Sequence, residues 1–304
     1  MSKIIFKIKR RLAYYYLSLA SFTTWQKYGY HVLRNYYYTP IPDTSQLDDS
    51  VYNFESALKG IDMREESQKE LLHKFSTSYK AEYDLFPDKP KNYFDYYTTQ
   101  TSYRCVEAQM LYCFVRNLKP NKIIEIGSGY STMLTAQALR KNKGEENANC
   151  DFVAIEPYPN EAIAKGFEGL SRLICEPVQK VPFSEFESLN ENDILFIDST
   201  HTVKTGGDVV YEINEILPRL KRGVYVHIHD IFLPFEYPKS WHSVPYFWAE
   251  QYLVQAFLQF NDSFEIVWAS HFMHRKNSTL CQKAFSFYEP NLPFVSGFWI
   301  KKIK

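Results

Sequence analysis

From residue 121 onward the chain alternates two hydrophobic periods. Short apolar runs stand at "KIIEI" (122–126), "DFVAIE" (151–156), "RLIC" (172–175), "DILFID" (193–198) and "GVYVHIHD" (223–230), with helical patterns between them at 131–141, 160–168, 183–189 and 208–217. Continuous apolar runs suit strands buried on both faces. A helix between successive strands carries the chain back over the sheet and leaves the strands parallel. The pattern at 208–217 is the clearest: Val209, Val210, Ile213, Ile216 and Leu217 share a stripe, and Asp208, after Gly206-Gly207, stands where an N-cap belongs. A helix near 246–260 and two further strands, 264–270 and 296–303, complete the last third. The order predicts an α/β, Rossmann-like doubly wound sheet covered by helices.

Residues 1–114 have a different grammar. "SQKELLHKF" (67–75) and "CVEAQMLYCFVRNL" (105–118) carry helical spacing, while Pro40 and Pro42 make "NYYYTPIPDTSQL" (35–47) extended. The expected division is a helical, aromatic-rich N-terminal region, 1–114, covering the active face of a catalytic domain, 115–304. The first residues, "MSKIIFKIKRRLAYYYLSLASF", read two ways. Ser18-Leu19-Ala20 loosely fits a signal-peptide cleavage site, but the three tyrosines make a poor apolar segment. Ile5, Ile8, Leu12, Tyr15, Tyr16 and Leu19 instead recur at helical spacing, with Lys3, Lys7, Arg10 and Arg11 between them. Such a basic amphipathic helix suits a peripheral membrane contact, although docking on the core is its more ordinary fate. No apolar run reaches the ~18 residues of a membrane span.

Composition narrows the class. Hydrophobic residues make up 45% of the 304 and charged residues 23%, enough for a packed core. Lys+Arg and Asp+Glu are both 35, and that balance gives no reason to expect a nucleic-acid partner. The five cysteines (Cys105, Cys113, Cys150, Cys175, Cys281) are odd in number and form no C-x-x-C pair. They suit reduced thiols in the cytoplasm better than a disulfide framework or a zinc site.

The stretch "KIIEIGSGYST" carries the first chemical clue. Gly127, Ser128 and Gly129 fall at the carboxyl end of the first strand, where a doubly wound sheet binds its ligand, and Ser131 or Thr132 is placed to cap the next helix. A dinucleotide site would want a third glycine where Thr132 stands, and Glu125 would oppose a pyrophosphate. A carboxylate there suits a cofactor with positive charge and no phosphate, such as S-adenosyl-L-methionine. Glu156, after the second strand, holds the position that normally binds ribose hydroxyls.

With Glu125-Ile126-Gly127-Ser128-Gly129 and Glu156 in place, the chain resembles the class I S-adenosylmethionine-dependent methyltransferases. Phe196-Ile197-Asp198-Ser199-Thr200-His201, Asp208 and His229-Asp230-Ile231 make it similar to a narrower branch, the bacterial small-molecule O-methyltransferases grouped with cephalosporin-hydroxylase-like proteins. The resemblance covers about 120–232, and more loosely "YYYTPIPD" and "HDIFLPFEYP". It implies seven strands with the last antiparallel, S-adenosyl-L-methionine as cofactor, and a hydroxyl of a sugar, glycan or secondary metabolite as acceptor. Asp198, His201, His229 and Asp230 are then the candidate catalytic groups. Asp198 joins Glu125, Gly127, Ser128, Gly129, Ser131 and Glu156 around the cofactor.

Metal-dependent relatives hold magnesium with acids at these strand ends, which Asp198 and Asp230 match. The third position is not matched, because His229 precedes Asp230 and Ile231 follows it. Without a metal, His201 or His229 is the base that takes the acceptor's proton. The pleat favours His201, since neighbours in a strand point to opposite sides and His229 would point away from Asp230 unless the strand has already ended there. His227 reads as a buried structural histidine; Lys204 and Asp208 read either as groups that support the site from behind or as a solvated lysine and a helix cap. Phe235, Tyr237, Trp241 and Tyr246 are the candidate acceptor-stacking aromatics, while Phe247, Val254 and Phe257 read as packing. Two other classes share this outline: a dinucleotide-dependent oxidoreductase or hydroxylase, against which Glu125 and the missing glycine argue, and a non-catalytic nucleoside-binding protein, against which the strand-end acids argue.

Overall fold

A computed structural model describes residues 2–18, 22–244 and 246–304. Contacts divide the chain into two units, residues 1–50 and 51–304. In the first, the expected amphipathic helix forms over Ser2–Ser18, followed by a short helix, Phe22–Lys27, and a 3-10 turn, Thr44–Gln46. Asp43 caps that turn, accepting from the Ser45 amide at 3.1 Å. The segment before it has no regular structure, as its prolines require. The stripe residues Ile5, Ile8 and Leu12 of the first helix are 45%, 54% and 51% exposed. The Tyr16 side chain, Leu19 and Ala20 lie outside the described residues.

In the second unit the strands are β1 (Lys122–Ile126), β2 (Asp151–Ile155), β3 (Arg172–Ile174), β4 (Ile194–Ile197), β5 (Tyr225–Ile228), β6 (Phe264–Ala269) and β7 (Phe298–Lys302). They form one seven-stranded sheet in the order 3-2-1-4-5-7-6. β7 runs antiparallel to β5 and β6, and the pairs β3–β2, β2–β1, β1–β4 and β4–β5 are parallel. The expected fold is therefore present, with its single antiparallel strand. The order reverses between β1 and β4, so a crevice opens at their carboxyl ends. Asp193 fixes the other end of that pair: its carboxylate accepts from the Asn121 and Lys122 amides at 2.9 Å and the Asn190 amide at 2.8 Å.

The helices Glu65–Tyr83 and Glu107–Leu118 form where the spacing predicts, and pack within this unit. Phe114 meets Phe75 edge-on at 5.1 Å and stacks on Trp299 of β7 at 3.9 Å. Buried Arg116 joins Glu82, Glu145 and Asn142. The 208–217 helix differs from expectation. Its cap is extended Gly207, Asp208 lies one place inside, and Glu212–Ile216 is a π-turn. Asp208 turns its carboxylate to the Thr200 amide and hydroxyl, at 3.1 and 2.7 Å. Of the expected stripe, Val209, Ile213, Ile216 and Leu217 are nevertheless fully buried, while Val210 is half-buried. The helix expected from 246 begins at Glu250. Among the described residues no helix is long and apolar enough to cross a membrane.

Candidate active site

β1 delivers Glu125 into the crevice almost fully buried. Its Oε1 accepts from the Ser131 hydroxyl at 2.5 Å, and its Oε2 is buried without a partner. Desolvation pushes the carboxyl up to about 8; the hydrogen bonds from Ser131 and Thr132 oppose that shift, and the charges of Asp198 and Glu156 add to it. Ser131 is thus occupied by Glu125, and Thr132 caps the helix Tyr130–Glu146, its Oγ1 accepting from the Gly129 amide at 2.9 Å. Ser128 Oγ is also buried with no partner.

The two glycines are needed for different reasons. Gly127 has φ +90, and a Cβ there would lie 2.1 Å from the Asp198 carbonyl oxygen. The chain itself therefore demands that glycine, where the ends of β1 and β4 nearly touch. Gly129 is extended, and a Cβ there would meet nothing within 4 Å. Open space lies on that side, and the same strand and loop carry the two unsatisfied buried oxygens of Glu125 and Ser128. A ligand bringing an ammonium and hydroxyls fits these residues. Glu156 stands just past β2, half-buried, with Oε1 accepting from the Tyr158 amide at 2.8 Å.

At the neighbouring strand ends the four expected polar groups converge. His201 Nε2 is 3.2 Å from Asp198 Oδ1 and 3.7 Å from Asp230 Oδ2, and its Nδ1 is 2.8 Å from Glu250 Oε2. His229 Nδ1 is 3.5 Å from Asp198 Oδ1 and 3.4 Å from Asp230 Oδ2, and its Nε2 is 3.3 Å from Glu107 Oε2. The pleat argument against His229 fails because β5 stops at Ile228. Asp230 then adopts φ +55, which turns both residues toward one cluster, and Ser296 donates its hydroxyl to Asp230 Oδ1 at 2.8 Å. His201 is also left-handed, φ +56. Non-glycine residues at such angles store strain, and they gather where a site dictates the backbone.

Desolvation alone would discharge both imidazoles, but the carboxylates outweigh it. His201 is held at about 10 by Asp198, Glu250 and Asp230, and His229 is raised well above its ordinary value by Asp230, Asp198 and Glu107. Burial works to raise Asp198, yet the two imidazoles hold it well below the usual carboxylate range. This arrangement favours the protonated form of both histidines, which is not the form of a free base. Among the described residues, Asp198, His201 and Asp230 each offer a ligand atom, all within 4.8 Å of one another. Glu250 on the far nitrogen of His201 is the kind of outer carboxylate that orients a metal-binding imidazole. A donor set of two carboxylates and an imidazole suits manganese, iron, cobalt or zinc better than magnesium, which prefers oxygen throughout.

Sequence reading missed the residues that hold this cluster in place. Glu107 and Glu250 are buried. Tyr103 lays its ring 5.3 Å from His229, and Trp248 lays its ring 4.3 Å from His201. Of the candidate stacking aromatics, Tyr237 and Trp241 are buried in a small core with Phe232 and Trp248. Tyr237 also accepts from the Gln251 amide at 3.0 Å. Phe235 is half-buried against His271 and Arg275. Tyr246 is exposed and stacks on Trp248 at 5.1 Å, the ring that lies 4.3 Å from His201. Lys204 is exposed. His227 is buried and held neutral, its ring 4.2 Å from Phe196, as a structural histidine should be.

Residues 124–231 match the model of a methyltransferase domain family. An uncharacterized protein of Archaeoglobus fulgidus is 31% identical over 168 residues, covering 52% of this chain and 74% of that protein. Among solved structures, an O-methyltransferase from Bacillus cereus in complex with S-adenosylhomocysteine is similar over 78% of this chain and 91% of its own, at 12% identity and TM-score 0.38. The apo-structure of CmcI-N160 is similar over 72% and 88%, at 13% identity and TM-score 0.39.

Proposed function

We infer that this chain, an S-adenosylmethionine-dependent methyltransferase whose residues 124–231 belong to the methyltransferase domain family, methylates a hydroxyl of a sugar, glycan or other small metabolite. The observation that carries this reading is the convergence of Asp198, His201 and Asp230 within 4.8 Å beside the glycine loop. An attacking hydroxyl must be aligned with the methyl group and relieved of its proton, and these strand ends border the loop that takes the cofactor.

Glu125 and Ser128 receive the cofactor's donors through their unpartnered oxygens, and Glu156 takes the ribose. Asp198, Asp230 and His201 Nε2 would hold a divalent ion once His201 gives up its proton. Such an ion lowers the pKa of a hydroxyl bound to it. Glu250 orients His201, and the His229 imidazolium balances the charge of Asp198 and Asp230. The Tyr246–Trp248 pair presents a flat face to a ring of the acceptor.

Calorimetric titration tests the premise: S-adenosylhomocysteine should bind and NAD should not. Chelation should abolish turnover, and manganese should restore it better than magnesium. Manganese binding, followed by its electron paramagnetic resonance, should be lost in Asp198→Asn. Full activity in excess chelator would refute the metal reading. The acceptor is found by supplying enzyme and methyl-labelled cofactor to cell extracts. A labelled methyl ether is expected, and label confined to nitrogen or sulfur would refute the hydroxyl acceptor.

A further inference from the structure

We propose that the helix Ser2–Ser18 docks the protein on an anionic lipid surface. The helix leaves an apolar stripe uncovered: Ile5, Ile8 and Leu12, at i, i+3 and i+7, are all about half exposed. At 100° per residue, Lys7 and Arg10 fall on the opposite side, while Lys9 and Arg11 flank the stripe at its two edges, where long basic side chains can reach up to headgroups.

Charge is what selects the partner. Residues 1–42 contain seven Lys and Arg and no Asp or Glu, in a chain whose totals are 35 and 35. The cationic excess is therefore segregated onto the segment that carries the stripe. It is also arranged against the helix dipole. Lys3 and Lys7 sit near the positive end, and the last turn has no basic residue. Most helical stability comes from packing an amphipathic face rather than from the helix alone. An anionic surface neutralises the misplaced charges and covers the stripe together, so it stabilises the helix in a way that water does not. Exposed aromatics follow directly: Phe22, Tyr28 and Tyr30 are 43%, 73% and 65% exposed, the residue type that settles at a membrane–water boundary. The helix is too charged to cross the bilayer, so it lies in the plane of the interface.

The test is co-sedimentation of the full chain with vesicles, either phosphatidylcholine alone or phosphatidylcholine with about one-third phosphatidylserine. Binding is expected only to the second, weakening as salt is raised, with a gain of helix signal in circular dichroism. Arg10→Gln and Arg11→Gln should each lower the vesicle affinity about fivefold. The double replacement Ile8→Ser, Leu12→Ser should abolish binding. All of these side chains are exposed, so affinity for S-adenosylhomocysteine should be unchanged in every variant and serves as the check on folding. Equal binding to neutral vesicles, or none to either, overturns the proposal. So does a dimer seen by sedimentation velocity in the wild type and lost in the double variant, because the stripe would then be covered by a second copy.

Discussion

Glu125→Gln separates what the crevice does for stability from what it does for the cofactor. The replacement keeps the shape, and Gln Oε1 can still accept from Ser131. It removes a carboxyl that burial has pushed from 4.5 up to about 8. Because the native pKa is raised, the glutamate is harmless below pH 4.5, where both states hold the proton. Between 4.5 and 8 the unfolded chain releases its proton and the native state does not, so native stability falls. At about 1.4 kcal/mol per pH unit, the variant should gain about 3 kcal/mol over wild type at pH 7 and about 5 kcal/mol above pH 8. Urea unfolding of the ligand-free proteins at pH 5, 7 and 9 measures the gap. Affinity for S-adenosylhomocysteine should move the other way, since an amide nitrogen at the Oε2 position cannot accept from an ammonium. A gap that stays constant with pH, or a variant less stable than wild type at pH 9, would show that Glu125 is not desolvated as described.

The two glycines should respond differently to alanine. Gly127→Ala combines φ +90 with a contact of 2.1 Å to the Asp198 carbonyl and should lose about 3 kcal/mol or more in chemical denaturation. Gly129→Ala, extended and open, should keep its stability while its cofactor affinity falls in calorimetry. Glu250→Gln should weaken manganese affinity about 10- to 100-fold and leave S-adenosylhomocysteine binding nearly intact, because it acts through His201. Arg116→Ala should lower stability by about 2 kcal/mol in the same unfolding assay, since it strands Glu82 and Asn142 around a buried gap.

What could be read from the sequence was what short stretches of chain determine. Each parallel strand is a local apolar run, the glycine loop is three consecutive residues, and Asp198, His201, His229 and Asp230 follow strands directly. The rest depends on contacts distant in sequence. Glu107 lies on the buried face of a helix and meets His229 across 122 positions; a carboxylate among apolar neighbours in "CVEAQMLYCF" was the available signal. Glu250 meets His201 across 49 positions, from a segment whose aromatics drew the eye instead. Periodicity also misled where geometry departed from the ideal. The pleat sets His229 against Asp230 only where β5 continues through them, and the strand ends at Ile228. The 208–217 stripe was correct as a buried face, although a π-turn interrupts the α-helix there. Tyr237 and Trp241 have the composition of a binding surface and the burial of a core, a distinction that only packing makes.

Glu107 has a consequence for how such a protein can be taken apart. One of its oxygens accepts from the Ser296 amide and from the Gly297 amide at 3.1 Å and lies 3.0 Å from the Ser296 hydroxyl, while the other faces His229. A single carboxylate thus ties a helix that precedes β1 to the approach to β7 and to the end of β5. Neither Glu107 nor Ser296 lies within 124–231, the part by which the chain is recognised. That segment is therefore not a portable cassette. Grafted into a relative, it would carry Asp198, His201, His229 and Asp230 but leave behind the groups that aim them. Exchange with a relative should succeed only when residues 103–107, Glu250 and residues 296–297 travel with it.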